Sequence, residues 1–277
     1  MSQYKITYKI EAGTAQHIGN RPEQLDRTGL FTSATAPGYL LAVLADGMSG
    51  HAGGKLAADQ ALLTARSLFE AWNPERVKIR ELLESMVDEA HTMIKLNRIS
   101  LRPEGESQSE PHSTFVVLLV TPQGQAYWLH IGDSRIYCFH GKQCTERSND
   151  EAYIEALCAD GRISREAAKN HRRSALLMNA LGNTLKNPFI TYGKNEALQA
   201  GDAFLLCSDG LWRHFADNEL AAAVALKSPR QAAEMLIEKA QERAKGNGDN
   251  CTMAIVKLVK LSDTELGYKV EKLTRAV

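Results

Sequence analysis

With 277 residues, 44% of them hydrophobic, the chain has enough apolar material for one large domain or two small ones. Lysine plus arginine and aspartate plus glutamate number 33 each, so no bulk charge favours a nucleic acid or an anionic membrane as partner. The five cysteines, Cys138, Cys144, Cys158, Cys207 and Cys251, are scattered and form no C-x-x-C pair, which argues against a disulfide framework or a thiolate zinc site and fits a reducing cytoplasm.

The first residues are polar and alternating, unlike a signal peptide, and no apolar run approaches the ~20 residues that span a bilayer. A soluble, cytoplasmic protein is expected. Residues 4–12 alternate as a strand does, and Tyr39–Ala45 is a continuous apolar run of buried-strand length. Helical spacing follows over Gly53–Ala71, and again from near Pro74 to about Asn97. The Pro-, Gly-, Ser- and Glu-rich segment Leu101–His112 has the composition of a loop. Strand patterns at Thr114–Thr121, Gln125–Ile131 and Ser134–Phe139, separated by Pro122-Gln123-Gly124 and Gly132-Asp133, read as an antiparallel meander. Between Asp150 and Leu181 the pattern turns helical and more polar, as an insertion over a site would. Strands are expected again at Phe189–Tyr192, Ala203–Cys207 and Cys251–Val259, and helices at Asp217–Leu226 and Pro229–Lys245. Because strands and helices come in blocks, the class is α+β and not a doubly wound parallel sheet. One domain is expected over residues 1–260, with an insertion at about 145–182 and a charged tail at 261–277.

Chemistry concentrates in acidic turns. Asp46 in LADGMSGH, Asp133 in HIGDSR, Asp209 in LLCSDGLW and Asp249 in GNGDNCT each follow or adjoin small, turn-forming residues at the end of a strand-like run. A carboxylate there is aimed rigidly, and an adjacent glycine lets another group come close. One Asp-Gly pair is an ordinary turn; four such sites point to a shared all-oxygen centre for Mg²⁺ or Mn²⁺.

In order and context the chain resembles the PP2C (PPM) family of protein serine/threonine phosphatases from about Gly19 to Val256. The matching motifs are G-N-R-P-E-Q-L-D at Gly19–Asp26, A-D-G-M-S-G-H at Ala45–His51 and H-S-T-F at His112–Phe115. They continue with H-I-G-D-S-R-I-Y at His130–Tyr137, C-S-D-G-L-W at Cys207–Trp212 and G-D-N-C-T at Gly248–Thr252. Gly161–Gly182 resembles the flap of bacterial members. The resemblance implies a four-layer α-β-β-α sandwich of two antiparallel sheets flanked by helices. It also implies hydrolysis of phosphoserine and phosphothreonine by a hydroxide shared between two Mn²⁺ or Mg²⁺ ions, with a third ion in many bacterial members.

Residue by residue, the family pattern gives Asp46 a bridging role and Gly47 a carbonyl ligand, with Asp209 and Asp249 completing the first ion's shell. Asp26 belongs to the second ion, and Asp133, shared with Asp209, to the third. Arg21 stands where the family's phosphate-binding arginine lies, and His51 is the histidine nearest the D-G pair for the general acid. By the same resemblance the partners are phosphoproteins modified by a bacterial-type serine/threonine kinase; neither nucleic acid nor membrane is expected, and the chain is read as a monomer.

Several positions depart from the family. Leu25 replaces the usual Glu or Gln before Asp26, which weakens the second ion unless Gln24 or Glu23 compensates. Met48 stands where many eukaryotic members have histidine. Arg147-Ser148-Asn149 replaces Asp-His-Ser, and Arg213 replaces an aspartate; both arginines are read as cleft-rim charges, each taken singly being a solvated surface residue. His130 is expected as a core histidine and Cys207 as buried filler. A catalytically silent phosphoprotein-binding module and a small-molecule phosphomonoesterase are the competing readings.

Overall fold

The computed structural model describes residues 8–48, 51–100, 110–148, 151–162, 164 and 179–262. The first half of the chain comprises β1 (Tyr8–His17), β2 (Arg27–Phe31), β3 (Leu40–Ala45), β4 (Gly47–Met48), α1 (His51–Ala71), α2 (Ile79–Ser100), β5 (His112–Ser113), β6 (Phe115–Val120), β7 (Ala126–Ile131) and β8 (Arg135–His140). The second half comprises β9 (Gln143–Arg147), α3 (Glu151–Ala159), β10 (Thr191–Asn195), β11 (Asp202–Cys207), α4 (Asp209–Trp212), α5 (Asp217–Leu226), α6 (Pro229–Ala244) and β12 (Cys251–Lys260).

Two five-stranded sheets, ordered β1-β12-β11-β8-β9 and β10-β7-β6-β3-β2, hold every long strand in antiparallel register. The inner strands β3, β6, β11 and β12 are largely apolar on both faces, as the middle of a sheet covered on both sides requires. In β3, Ala42 and Leu44 point into the gap between the sheets, where they join Val116 and Leu118 of β6 and meet Phe204 and Leu206 of β11 and Val256 of β12. The alternate residues Leu41, Val43 and Ala45 pack outward against Phe69 of α1 and Met86 and Ile94 of α2. On the far side Leu205, Cys207, Met253 and Ile255 pack against Leu220 and Val224 of α5 and Leu236 of α6. The period of two along each strand thus builds the expected α-β-β-α sandwich.

Several boundaries shift for identifiable reasons. The first strand runs to His17, beyond the expected end at residue 12, because all ten residues of β1 pair with β12. The second helix starts at Ile79 and not near Pro74: the Asn73 side chain accepts from Glu75 N at 2.9 Å, and its carbonyl accepts from Arg76 and Val77 N at 3.1 Å each, closing a turn first. The strand expected at Phe189–Tyr192 lies at Thr191–Asn195, where it pairs with β7. Short β2, β4, β5 and β9 and the one-turn α4 have no periodicity long enough to read.

The expected meander is only half correct. β6 and β7 form a hairpin, but β8 leaves for the other sheet and pairs with β11. Gly132, at φ +89°, makes the crossing turn, and a Cβ there would meet Thr114 Cγ2 at 2.7 Å. Among the described residues no helix is long and apolar enough to cross a membrane. Most of the flap call (163, 165–178), most of the loop call at Leu101–His112 (101–109) and most of the tail call (263–277) lie outside the described residues.

Removing the ring of Phe204, 1% exposed in the layer between the sheets, leaves a cavity bounded by two stiff surfaces. Phe204→Ala is expected to lose about 3–5 kcal/mol in urea unfolding, whereas Leu63→Ala, at a position 56% exposed on α1, changes stability by no more than about 0.5 kcal/mol.

Candidate active site

The registers bring the acidic turns to one edge. Arg27 of β2 pairs with Ala45 of β3, so Asp26 and Asp46 leave the same end of one sheet. Cys207 of β11 pairs with both Arg135 of β8 and Met253 of β12, which sets Asp209, Asp133 and Asp249 at the matching end of the other. Asp133 sits in the turn that joins the two sheets. Five carboxylates far apart in sequence therefore meet where the sandwich opens.

Asp46 stands at their centre. Burial pushes its carboxyl well above the usual carboxylate range, and the charges of Asp26, Asp209, Asp133 and Asp249 push it further. Its backbone is clamped: Asp46 N donates to Thr114 Oγ1 at 3.0 Å, while Thr114 N and Ser113 Oγ donate to its carbonyl at 2.9 and 3.1 Å. Thr114 Oγ1 also lies 2.7 Å from Ser134 Oγ, tying the Asp46 turn to the Asp133 turn. Gly47 is required by close approach, since a Cβ there would lie 2.2 Å from Gly54 O and 2.9 Å from Leu25 O.

Asp26 is 1% exposed and accepts from Ser208 Oγ at 2.9 Å. Burial drives its carboxyl up to about 7, the Asp209 charge adds to the rise, and hydrogen bonds from Ser208 and with Asp46 oppose it. The loop before it is held by Asn250, whose side chain accepts from Leu25 N at 2.8 Å and donates to Ile18 O at 2.8 Å and Glu23 O at 3.0 Å. Arg27 donates to the carbonyls of Gln24 and Asp26 at 3.0 and 2.7 Å and pairs with Asp59 of α1. Sequence reading assigned no role to Asn250, Ser208, Thr114 or Arg27, although the first three lie inside the motifs it quoted.

Two arginines enter the cluster. Arg21, its side chain 57% exposed, donates to Asp249 Oδ2 at 2.7 Å, and the Asp249 hydrogen bond and charge, with the charges of Asp209 and Asp46, raise its pKa. Arg213 is an exposed residue, as the rim reading expects, but its side chain, 29% exposed, turns into the cluster: it pairs with Asp209, and its Nη2 lies 3.5 Å from Asp133 Oδ2. Arg147 does fit the surface reading, 47% exposed and 3.4 Å from Asp217. The His51 side chain lies outside the described residues. His130 is 3% exposed and burial lowers its pKa to about 4, so it is a neutral core residue; Cys207 is fully buried in the core under α5 and α6.

The donor set is oxygen, which suits a hard divalent cation. Among the described residues no three His, Cys, Asp or Glu side chains stand as a finished metal cage. The raised carboxyls of Asp46 and Asp26 nonetheless fit a cation there, because a divalent charge relieves the repulsion between them. Leu25 brings no donor, and Gln24 does not replace one: its Oε1 accepts from Asp26 N at 3.0 Å and its Nε2 donates to His17 O at 3.1 Å.

Asp26 supplies a pH test. Its folded carboxyl titrates near 7 against an ordinary 3.8, so between those values the folded chain keeps a proton that the unfolded chain has lost, and stability falls as pH rises through the window. Asp26→Asn needs no proton; in chelator it is expected to melt above the wild type at about pH 8, with the gap closing toward about pH 4. A gap of equal size at both pH values would contradict the burial argument.

The description "Protein phosphatase 2C" matches residues 12–245. The chain is 31% identical over 222 residues to the serine/threonine protein phosphatase PstP of Mycobacterium tuberculosis, covering 80% of this chain and 41% of that protein. It spans about two fifths of that curated relative's length. Against the serine/threonine phosphatase stp of Listeria monocytogenes it is 31% identical over 221 residues, covering 78% of this chain and 83% of the relative. The crystal structure of the catalytic domain of PstP in complex with two manganese ions superposes with a TM-score of 0.66 at 25% identity, over 92% of this chain and all of that one. A sandwich of this topology, the match to the family over nearly its whole length and these relatives together make the chain a member of the protein phosphatase 2C family.

Proposed function

We propose that the chain is a metal-dependent protein serine/threonine phosphatase that removes phosphate from phosphoserine and phosphothreonine. One observation carries the reading: in a chain of this family, four aspartates from two sheets gather around Asp46, whose carboxyl is pushed up by burial and by all four. Crowded, buried carboxylates mark a functional site, and a set of oxygen donors alone suits a hard divalent cation. Asp46, the Gly47 carbonyl, Asp249 and Asp26 would hold Mn²⁺ or Mg²⁺, with Asp209 beside them. When bound, divalent cations lower the pKa of water toward neutrality and offset charge on phosphoryl oxygens.

The chain's own groups do the rest. The Thr114 and Ser113 contacts fix Asp46, so the acidic centre does not reorganise during the reaction. Arg21, exposed and anchored on Asp249, can swing one face of its guanidinium toward a phosphate dianion, where its planar fork matches two oxygens. Asp249 meanwhile keeps it at the edge of the cluster. The partner class is a phosphoprotein, as the relatives' names imply of those proteins; a bacterial-type kinase as its source, a cytoplasmic setting and a monomeric state are the finer parts of this proposal.

Hydrolysis of an aryl phosphate and of a phosphothreonine peptide, with Mn²⁺ and with chelator, tests it. Turnover of both is expected with Mn²⁺, and chelator abolishes it. Asp46→Asn is expected to lose more than about 100-fold, beyond the 10–100-fold of an outer-sphere change, and Arg21→Ala about 10–100-fold in kcat/KM on the peptide, the worth of a charge-assisted pair. No turnover of either substrate with any divalent ion would leave a phosphoprotein-binding module as the better reading. Turnover of the aryl phosphate alone would favour a small-molecule phosphomonoesterase.

A further inference from the structure

We infer that Arg213 takes the place of a cation between Asp133 and Asp209, so that the centre works with ions on the Asp46 side alone and has no third-ion site. The inference rests on the metal-dependent reading above. Family resemblance assigns Asp133 and Asp209 to a third ion, but these residues, as placed, do not fit one. Arg213 pairs with Asp209 and sets its Nη2 3.5 Å from Asp133 Oδ2, which puts a permanent positive charge between the two carboxylates.

Local structure makes the arrangement specific. Arg213 lies four residues after Asp209, and its backbone N donates to Asp209 O at 3.3 Å at the end of the α4 turn, so its side chain reaches back along one helical face. The neighbouring Trp212 donates from Nε1 to Asp133 O at 2.9 Å, which fixes the Asp133 turn against the same helix. Trp212 in turn lies under two guanidiniums, Arg135 at 3.5 Å and Arg213 at 5.4 Å from its ring centroid. The Asp133 side chain is 5% exposed and that of Asp209 12%, so the partners are screened from water and the pair is not a loose surface contact. A divalent ion seated on the same two carboxylates would have to displace a cation tethered by its own backbone. Aspartate, the residue the family often carries at position 213, would instead add a third carboxylate to the same spot.

Equilibrium dialysis of the full chain against MnCl₂, with bound manganese counted by atomic absorption, tests the inference without reference to turnover. The wild type is expected to bind two ions, and Asp133→Asn the same two. Arg213→Asp is expected to gain one ion, and Arg213→Asp with Asp133→Asn to lose that gain. Three ions in the wild type, with one lost in Asp133→Asn, would overturn the inference and leave the metal-dependent reading intact. So would an Arg213→Asp chain with native far-UV circular dichroism that gains no ion. If that variant does not fold, the comparison of wild type with Asp133→Asn decides alone. No bound manganese in the wild type would sink the metal-dependent reading and this inference with it.

Discussion

Mutual repulsion among buried carboxylates is the constraint on which this molecule is organised. Burying an unpaired charge costs several kcal/mol or shifts the group until it is neutral, and here Asp26 and Asp133 are nearly inaccessible, beside a half-buried Asp46. At Asp46 the backbone is satisfied while the carboxyl is crowded by four like charges. Such an arrangement persists only if the surrounding scaffold is stiff enough to refuse relaxation. Two apolar sheets locked face to face supply that stiffness, because a close-packed interior transmits strain instead of absorbing it.

The scaffold meets the repulsion with specific groups. Ser208 donates into Asp26, and Asn250 ties the loop before Asp26 to the strand that follows Asp249. Thr114 and Ser134 link the turns of Asp46 and Asp133. At the two flanks the charge is answered by arginines, Arg21 on Asp249 and Arg213 on Asp209 and Asp133. These two differ in a way that matches different tasks. The Arg21 side chain is more than half exposed and free to exchange one acidic partner for a phosphate, whereas that of Arg213 is less exposed and tethered within a single helical turn.

The middle of the cluster and its flanks are thus chemically distinct. On the Asp46 side the carboxyls of Asp46 and Asp26 are pushed up, which is the side that suits a divalent ion. Toward Asp133 the positive charge is built into the chain. Departures from the family pattern follow the same division: Leu25 withdraws a donor on one side, with Gln24 already committed to backbone, and Arg213 supplies a cation on the other.

Much of this was legible in the sequence because it is local. The continuous apolar runs of β3, β6 and β11 and the spacing of α5 report burial directly, and each acidic turn shows its aspartate beside residues that only a tight loop would use. Asp46, Asp133, Asp209 and Asp249 are legible on that basis, and Asp26, the Gly47 carbonyl and Arg21 only through the family's motif order. What the chain could not announce depends on pairing at a distance. No periodicity tells β8 to leave its hairpin neighbour and cross to the second sheet, yet that crossing delivers Asp133 to the site. The role of Asn250 is equally invisible, since its partners Ile18, Glu23 and Leu25 are more than 220 residues away along the chain. Arg213 reads as one more surface charge until the fold brings Asp133 against it. Residue type and local spacing determine which groups are available; only the register of two sheets decides which of them share a point in space, because Coulomb interactions act through distance and not through sequence.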